Sequence, residues 1–148
     1  MENNVVIYQS SDGLVKMEAI VDASNETIWA TQKAMAELFG VNVPAISKHL
    51  KNIYSEGELA ESMTISKMET VVQRGFRGSV REMVEFYNLD AIISVGYRIN
   101  SRQATAFRQW ATSVLKQYMI KGYAVNQNAA SEQKYEDLKR ALGLLENV

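Results

Sequence analysis

Cysteine is absent from this chain, and histidine and proline occur once each in 148 residues. Without cysteine there are no disulfides and no thiolate ligands, so a structural zinc site is not expected. The single histidine, His49, leaves both a metal cluster and a Ser-His-Asp system short of parts. No glycine-rich loop has a phosphate-binding pattern. The acids Glu56, Glu58 and Glu61 fall in what reads as a solvated loop. No apolar run approaches the roughly 20 residues that span a bilayer. The N-terminus, MENNVVIYQSS, lacks a basic stretch followed by an apolar one, so a signal peptide is not expected. These absences predict a cytoplasmic protein with no cofactor, no metal, no membrane partner and no catalytic role.

The length suits one well-filled domain or two small subdomains sharing a core. Apolar residues make up 47% and charged residues 22%, ordinary for a globular chain. The net charge of −1 conceals an uneven distribution. Residues 1–70 carry ten acids and five bases, whereas Ala91 to Ser131 contain no acid and five bases: Arg98, Arg102, Arg108, Lys116 and Lys121. Positive charge gathered in one segment suits a nucleic-acid partner, although a solvated helix face produces the same imbalance.

The patterning predicts an α+β fold. VVIYQ and LVKMEAIV around Ser10-Ser11-Asp12-Gly13 read as a β-hairpin, and Glu26 to Ala30 as a third short strand. A helix capped by Thr31 carries Ala34, Met35, Leu38 and Phe39 at helical spacing and stops at Gly40. A second helix begins near Pro44 and buries Ile46, Leu50 and Ile53. Residues 58–67 read as a surface loop. Glu69–Gln73 and Val80–Tyr87 read as strands joined by RGFRGS. Asn88 then caps a short helix, and a long amphipathic helix runs from about Arg102 to Lys121, with a stripe of Phe107, Trp110, Ala111, Val114, Leu115 and Tyr118. AVNQNAAS is a polar linker, and a last helix repeats Tyr135, Leu138, Leu142 and Leu145. The implied organisation is a winged helix-turn-helix-like domain over 1–87, a helical region over 88–123, a linker over 124–131 and a terminal helix over 132–148. That seam has coiled-coil spacing and predicts a homodimer. It breaks off in mid-pattern, so a further C-terminal domain is expected.

The segment QKAMAELFGVNVPAISKHLKNIY has the residue types of a helix-turn-helix: small Ala36 at the crossing, Gly40 at the turn, and Met35, Val41 and Ile46 between the helices. His49 departs from the pattern where an apolar contact is usual, and Leu50 takes that contact instead. At about 100° per residue, Pro44, Lys48 and Lys51 lie opposite the apolar side, flanked by Ser47 and Asn52. A recognition helix docks its N-terminal residues in the major groove. Asn42, Ser47, Lys48 and Lys51 are therefore candidates to reach double-stranded DNA, since Asn can bridge adenine and Lys can donate to guanine. The plainer alternative is a helical hairpin with two surface lysines. His49 reads as a partly packed residue or a phosphate contact.

RGFRGSVR crowds Arg74, Arg77 and Arg81 at the turn of the second hairpin. A hairpin after a recognition helix stands where a wing would, and its arginines can hold phosphate or enter a minor groove. Pairing with Glu82 and Glu85 is the other reading. Phe107 and Trp110 fit a buried stripe, while Arg102 and Arg108 suit either DNA backbone or solvent.

IWATQKAMAELFG (28–40), ISKHLKNIYSEGEL (46–59), EFYNLDAIISVGYRINS (85–101) and FRQWATSVLKQYMIKGYA (107–124) together resemble the RhuM family of bacterial virulence proteins. That resemblance implies a cytoplasmic, mobile-element-associated DNA-binding protein, and it brings no catalytic residue with it. Asn88 to Tyr123 is more distantly similar to the Bro-N region of phage antirepressors, with an Ala-x-x-Phe-x-x-Trp pattern. Some RhuM-like proteins carry a Fic-type domain, and no Fic signature occurs here. Two functions follow: a DNA-binding regulator, or a protein-interaction, antirepressor-like module without DNA sequence specificity.

Overall fold

The computed structural model describes residues 4–10 and 12–122. The first hairpin forms as its alternation demands. Strands β1 (Asn4–Gln9) and β2 (Lys16–Asp22) pair antiparallel from Asn4–Val21 to Gln9–Lys16. The Ser10 hydroxyl organises the connection by donating to Asp12 (2.5 Å) and accepting from the Val15 N–H (3.0 Å). Strand β3 (Thr27–Ala30) returns beside β2. The turn between them is built on Asp22, which is nearly buried and accepts from Ser24 Oγ, Asn25 Nδ2 and Trp29 Nε1. These donors, led by Asn25, hold its carboxyl far below the usual range.

Two further strands, β4 (Ile65–Gln73) and β5 (Ser79–Asn88), form the second hairpin. The two hairpins belong to one five-stranded antiparallel sheet in the order β1-β2-β3-β5-β4. The join is short, Trp29–Asn88 and Ala30–Tyr87, and no local pattern announces a pairing so distant in sequence. The region predicted as a loop over 58–67 is also more regular than its polarity suggests. It holds a single helical turn at Glu61–Thr64, and β4 starts at Ile65 because nine successive register pairs with β5 outweigh weak local propensity.

The main helices are α1 (Gln32–Phe39), α2 (Val43–Ser55), α3 (Leu89–Arg98) and α4 (Arg102–Lys121). Each begins on a side-chain cap. Thr31, Asn42, Asn88 and Ser101 accept from the N–H groups of Ala34, Ala45, Ala91 and Ala104, an arrangement worth about 1 kcal/mol per helix. Gly40 ends α1 in the left-handed conformation (φ 66°), leaving a turn of three residues before α2. Ser101 adds a bond of 2.7 Å to the Phe39 carbonyl, tying the start of α4 to the end of α1.

The core lies where these helices meet one face of the sheet. Met35, Phe39, Ile46, Ile53, Ile92 and Val95 are inaccessible to solvent and belong to one cluster with Ala19, Ala30 and Tyr87. Phe39 and Phe107 meet edge-on with centroids 5.1 Å apart. Gly96 makes room for them: a Cβ there would stand 2.8 Å from the Phe107 ring. The predicted stripe of α4 is buried only in its first half. Beyond Trp110 and Ala111, exposure rises from 37% at Val114 through Leu115, Tyr118 and Met119 to 81% at Ile120. Among the described residues nothing covers that end. The predicted linker, terminal helix and dimer seam lie outside the described residues.

Candidate nucleic-acid interface

Helix α2 presents two unlike sides because Ile46, Leu50 and Ile53 are driven into the core at intervals of three and four. The opposite side is left to Pro44, Lys48, Lys51 and Asn52, all exposed, with Ser47 half-buried on the shoulder. No acid occurs between Glu37 and Glu56. Neither Lys48 nor Lys51 has an ion-pair partner among the described residues. Asn42 is in a different position from the other candidates. Its Oδ1 accepts the Ala45 N–H at 2.9 Å and so caps the helix, which fixes the side chain's orientation and occupies one of the two lone pairs of that oxygen.

His49 is half-buried, and its imidazole is held below the ordinary value by that burial and by the charges of Arg98 and Lys48. The C-terminal end of α2 is anchored on two sides. Tyr54 Oη and Thr64 Oγ1 share a hydrogen bond of 2.9 Å at the root of β4. Arg98 of α3 reaches Glu56 at 2.6 Å and Glu58 at 3.5 Å, and its guanidinium lowers the Glu56 carboxyl. A second polar link runs from Gln32 Nε2 to Tyr87 Oη (2.9 Å) and on to Glu85 (3.1 Å). Burial is the main reason that the Tyr87 phenol is pushed up to about 12.

The second hairpin forms one edge of the sheet. From Ile65 to Gln73 its residues alternate between half-buried and exposed, and none is fully buried. The turn is a 3₁₀ segment, Gly75–Arg77, closed by bonds from Arg74 N–H to Gly78 O (2.9 Å) and from Arg77 N–H to Arg74 O (3.0 Å). The three arginines differ. Arg74 makes a two-point contact with Glu82, at 2.8 and 2.6 Å, which follows the pairing alternative for that residue. Arg77 and Arg81 are exposed and form no ion pair among the described residues. Charge is therefore available at the turn, but from two arginines rather than three.

The basic segment divides in the same way. Arg108 donates to the Gly96 and Ile99 carbonyls, both at 2.9 Å, and so closes the C-terminal end of α3. Arg98 is held by its two glutamates. Arg102, Lys116 and Lys121 remain on the exposed surface of α4. One residue passed over in the sequence is Phe76, fully exposed between Gly75 and Arg77 at the end of the hairpin. An aromatic residue inside a turn of glycines and arginines was the available signal. Among the described residues no group of three or more His, Asp or Glu side chains is placed to hold a metal. No described helix is long and apolar enough to cross a membrane.

No curated protein and no solved structure matches the chain. Residues 63–147 match the model of the virulence protein RhuM family. The matched stretch takes in the second hairpin, α3 and α4, and leaves α1 and α2 on its N-terminal side. It covers more than half of the sequence, and on that ground the chain belongs to the RhuM family of virulence proteins.

Proposed function

We propose that this chain binds double-stranded DNA and performs no chemistry of its own, with α2 in the major groove and the second hairpin against the neighbouring backbone. The observation that carries the reading is the outward side of α2. Lys48 and Lys51 stand exposed, without acidic partners, on a helix whose other side is locked into the core by Ile46, Leu50 and Ile53. A rigidly held helix with a basic outward side suits major-groove docking. Ser47, Lys48 and Lys51 contact bases or phosphates, Asn42 sets the start of the helix, and Arg77 and Arg81 add phosphate contacts. In its biological form this is a cytoplasmic regulator of mobile-element origin. Acting as a homodimer, it would place two copies of α2 about 34–36 Å apart on a palindromic site.

Fluorescence anisotropy on random and selected duplexes, at low and moderate salt, tests the proposal. Affinity should fall steeply with salt as counterions are released. Replacing Lys48 and Lys51 together by Ala should leave the fold intact and cost about 1–3 kcal/mol for each good base contact. A folded double variant that binds like the wild type sinks the assignment of α2. One observation favours a second reading, an antirepressor-like module that docks protein. The exposed apolar end of α4, from Leu115 to Ile120, is a surface of the kind that partners cover. Binding to duplex that is absent at every salt concentration selects that reading.

A further inference from the structure

We infer that Phe76 is an apolar wedge that enters a base step of the minor groove when the chain binds duplex DNA; the inference rests on the DNA-binding reading above. Its side chain is fully exposed at the end of the second hairpin, although aromatic residues normally bury most of their area. The turn holds it there. Gly75 (φ 52°) and Gly78 (φ 68°) supply backbone conformations that side chains disfavour, and three backbone hydrogen bonds close the loop around it. Phe76 is therefore carried on a built turn.

The surroundings identify the occupant. No acid lies between Glu69 and Glu82, and Glu82 is already occupied by Arg74. Arg77 and Arg81 are left to meet phosphates on either side of the inserted ring. Architectural minor-groove proteins combine these two elements, basic side chains along the groove and an apolar wedge that unstacks one step. The reach is also adequate. The hairpin springs from the end of α2 through the Tyr54–Thr64 bond, and the strand from Ile65 to Gln73 spans roughly 25 Å at about 3.3 Å per residue. The minor groove next to an occupied major groove lies about half a turn away, roughly 17 Å on a repeat of about 34 Å. A lone phenyl ring with two free arginines also resembles a membrane-inserting loop. Exposed Val71 and Met83 lie further back along the strands, behind the polar rung of Gln73 and Ser79, so at the end of the hairpin a single ring is offered between two arginines, which favours a single base step.

The test uses the full chain and a duplex labelled at both ends, with 2-aminopurine as a reporter of unstacking. The wild type should bend the duplex and raise 2-aminopurine emission. Phe76→Ala should melt at the wild-type temperature, keep the salt slope, lose the bend and the emission change, and bind about tenfold more weakly, the size of one lost stacking contact. Phe76→Trp should restore both signals. A Phe76→Ala chain that binds and bends like the wild type overturns the wedge and leaves DNA binding standing. A wild type that ignores duplex at every salt overturns the underlying reading as well. If Phe76→Ala loses affinity only for phosphatidylserine vesicles, the hairpin inserts into lipid and the inference is wrong.

Discussion

The two surfaces that carry the candidate DNA contacts are built on opposite principles. Helix α2 is fastened by three residues buried almost completely, by a cap at its start and by ion pairs at its end. The second hairpin pairs with the rest of the sheet through only two register pairs, Trp29–Asn88 and Ala30–Tyr87, and none of the residues of β4 is fully buried. Rigid support suits side chains that must meet base edges within a fraction of an ångström. A hairpin whose turn carries exposed arginines suits contacts that follow a phosphate backbone. The difference also separates effects on stability from effects on binding, residue by residue.

The largest effect is expected in the helical block. Ile46→Ala removes a side chain with no solvent exposure and should cost about 2–5 kcal/mol by urea unfolding. Val80→Ala, paired with Val72 across the hairpin, should cost about 0.2–1 kcal/mol. Equal losses at the two sites would mean that the hairpin is as tightly integrated as α2, and the contrast would fail.

Arginines give the next test. Arg108→Met removes two bonds to the carbonyls at the end of α3 and should destabilise the chain by about 1–3 kcal/mol while leaving the salt dependence of DNA binding unchanged. Arg77→Met should do the reverse: no change in melting, and a salt slope shallower by about one unit. A binding defect in Arg108→Met without loss of stability would move that residue from capping to DNA contact.

The smallest effect concerns His49. Its folded-state value lies below the ordinary 6.5, chiefly through partial burial, so below 6.5 the unfolded chain binds the proton more readily than the folded one. Stability should therefore be complete above about pH 7 and decline as pH falls toward about 5, before the carboxylates titrate. His49→Gln should flatten the curve over that interval. An unchanged slope would show that another group governs it.

Much of the helical framework is legible in the chain. Thr31, Asn88 and Gly40 mark ends that the structure confirms, and the spacing of Ile46, Leu50 and Ile53 identifies the buried side of α2. The candidate site is partly legible. Lys48 and Lys51 face outward as their positions on a helical projection require, because that geometry depends only on the turn of one helix. Arg74, Arg108 and Asn42 are occupied by partners that sequence cannot weigh. Each could as well have faced solvent, and the outcome depended on which acceptor the fold brought within reach.

Local chemistry decides what can be decided within a turn or two: caps, breaks, the apolar sides of helices and the hairpin turns. Joining the hairpins into one sheet, closing α3 with an arginine from the following helix and, among the described residues, leaving the end of α4 exposed required the finished packing. Those features depend on contacts between residues far apart in the chain. Such contacts form only after the cost of closing the intervening loops has been met, and no short window of sequence records them.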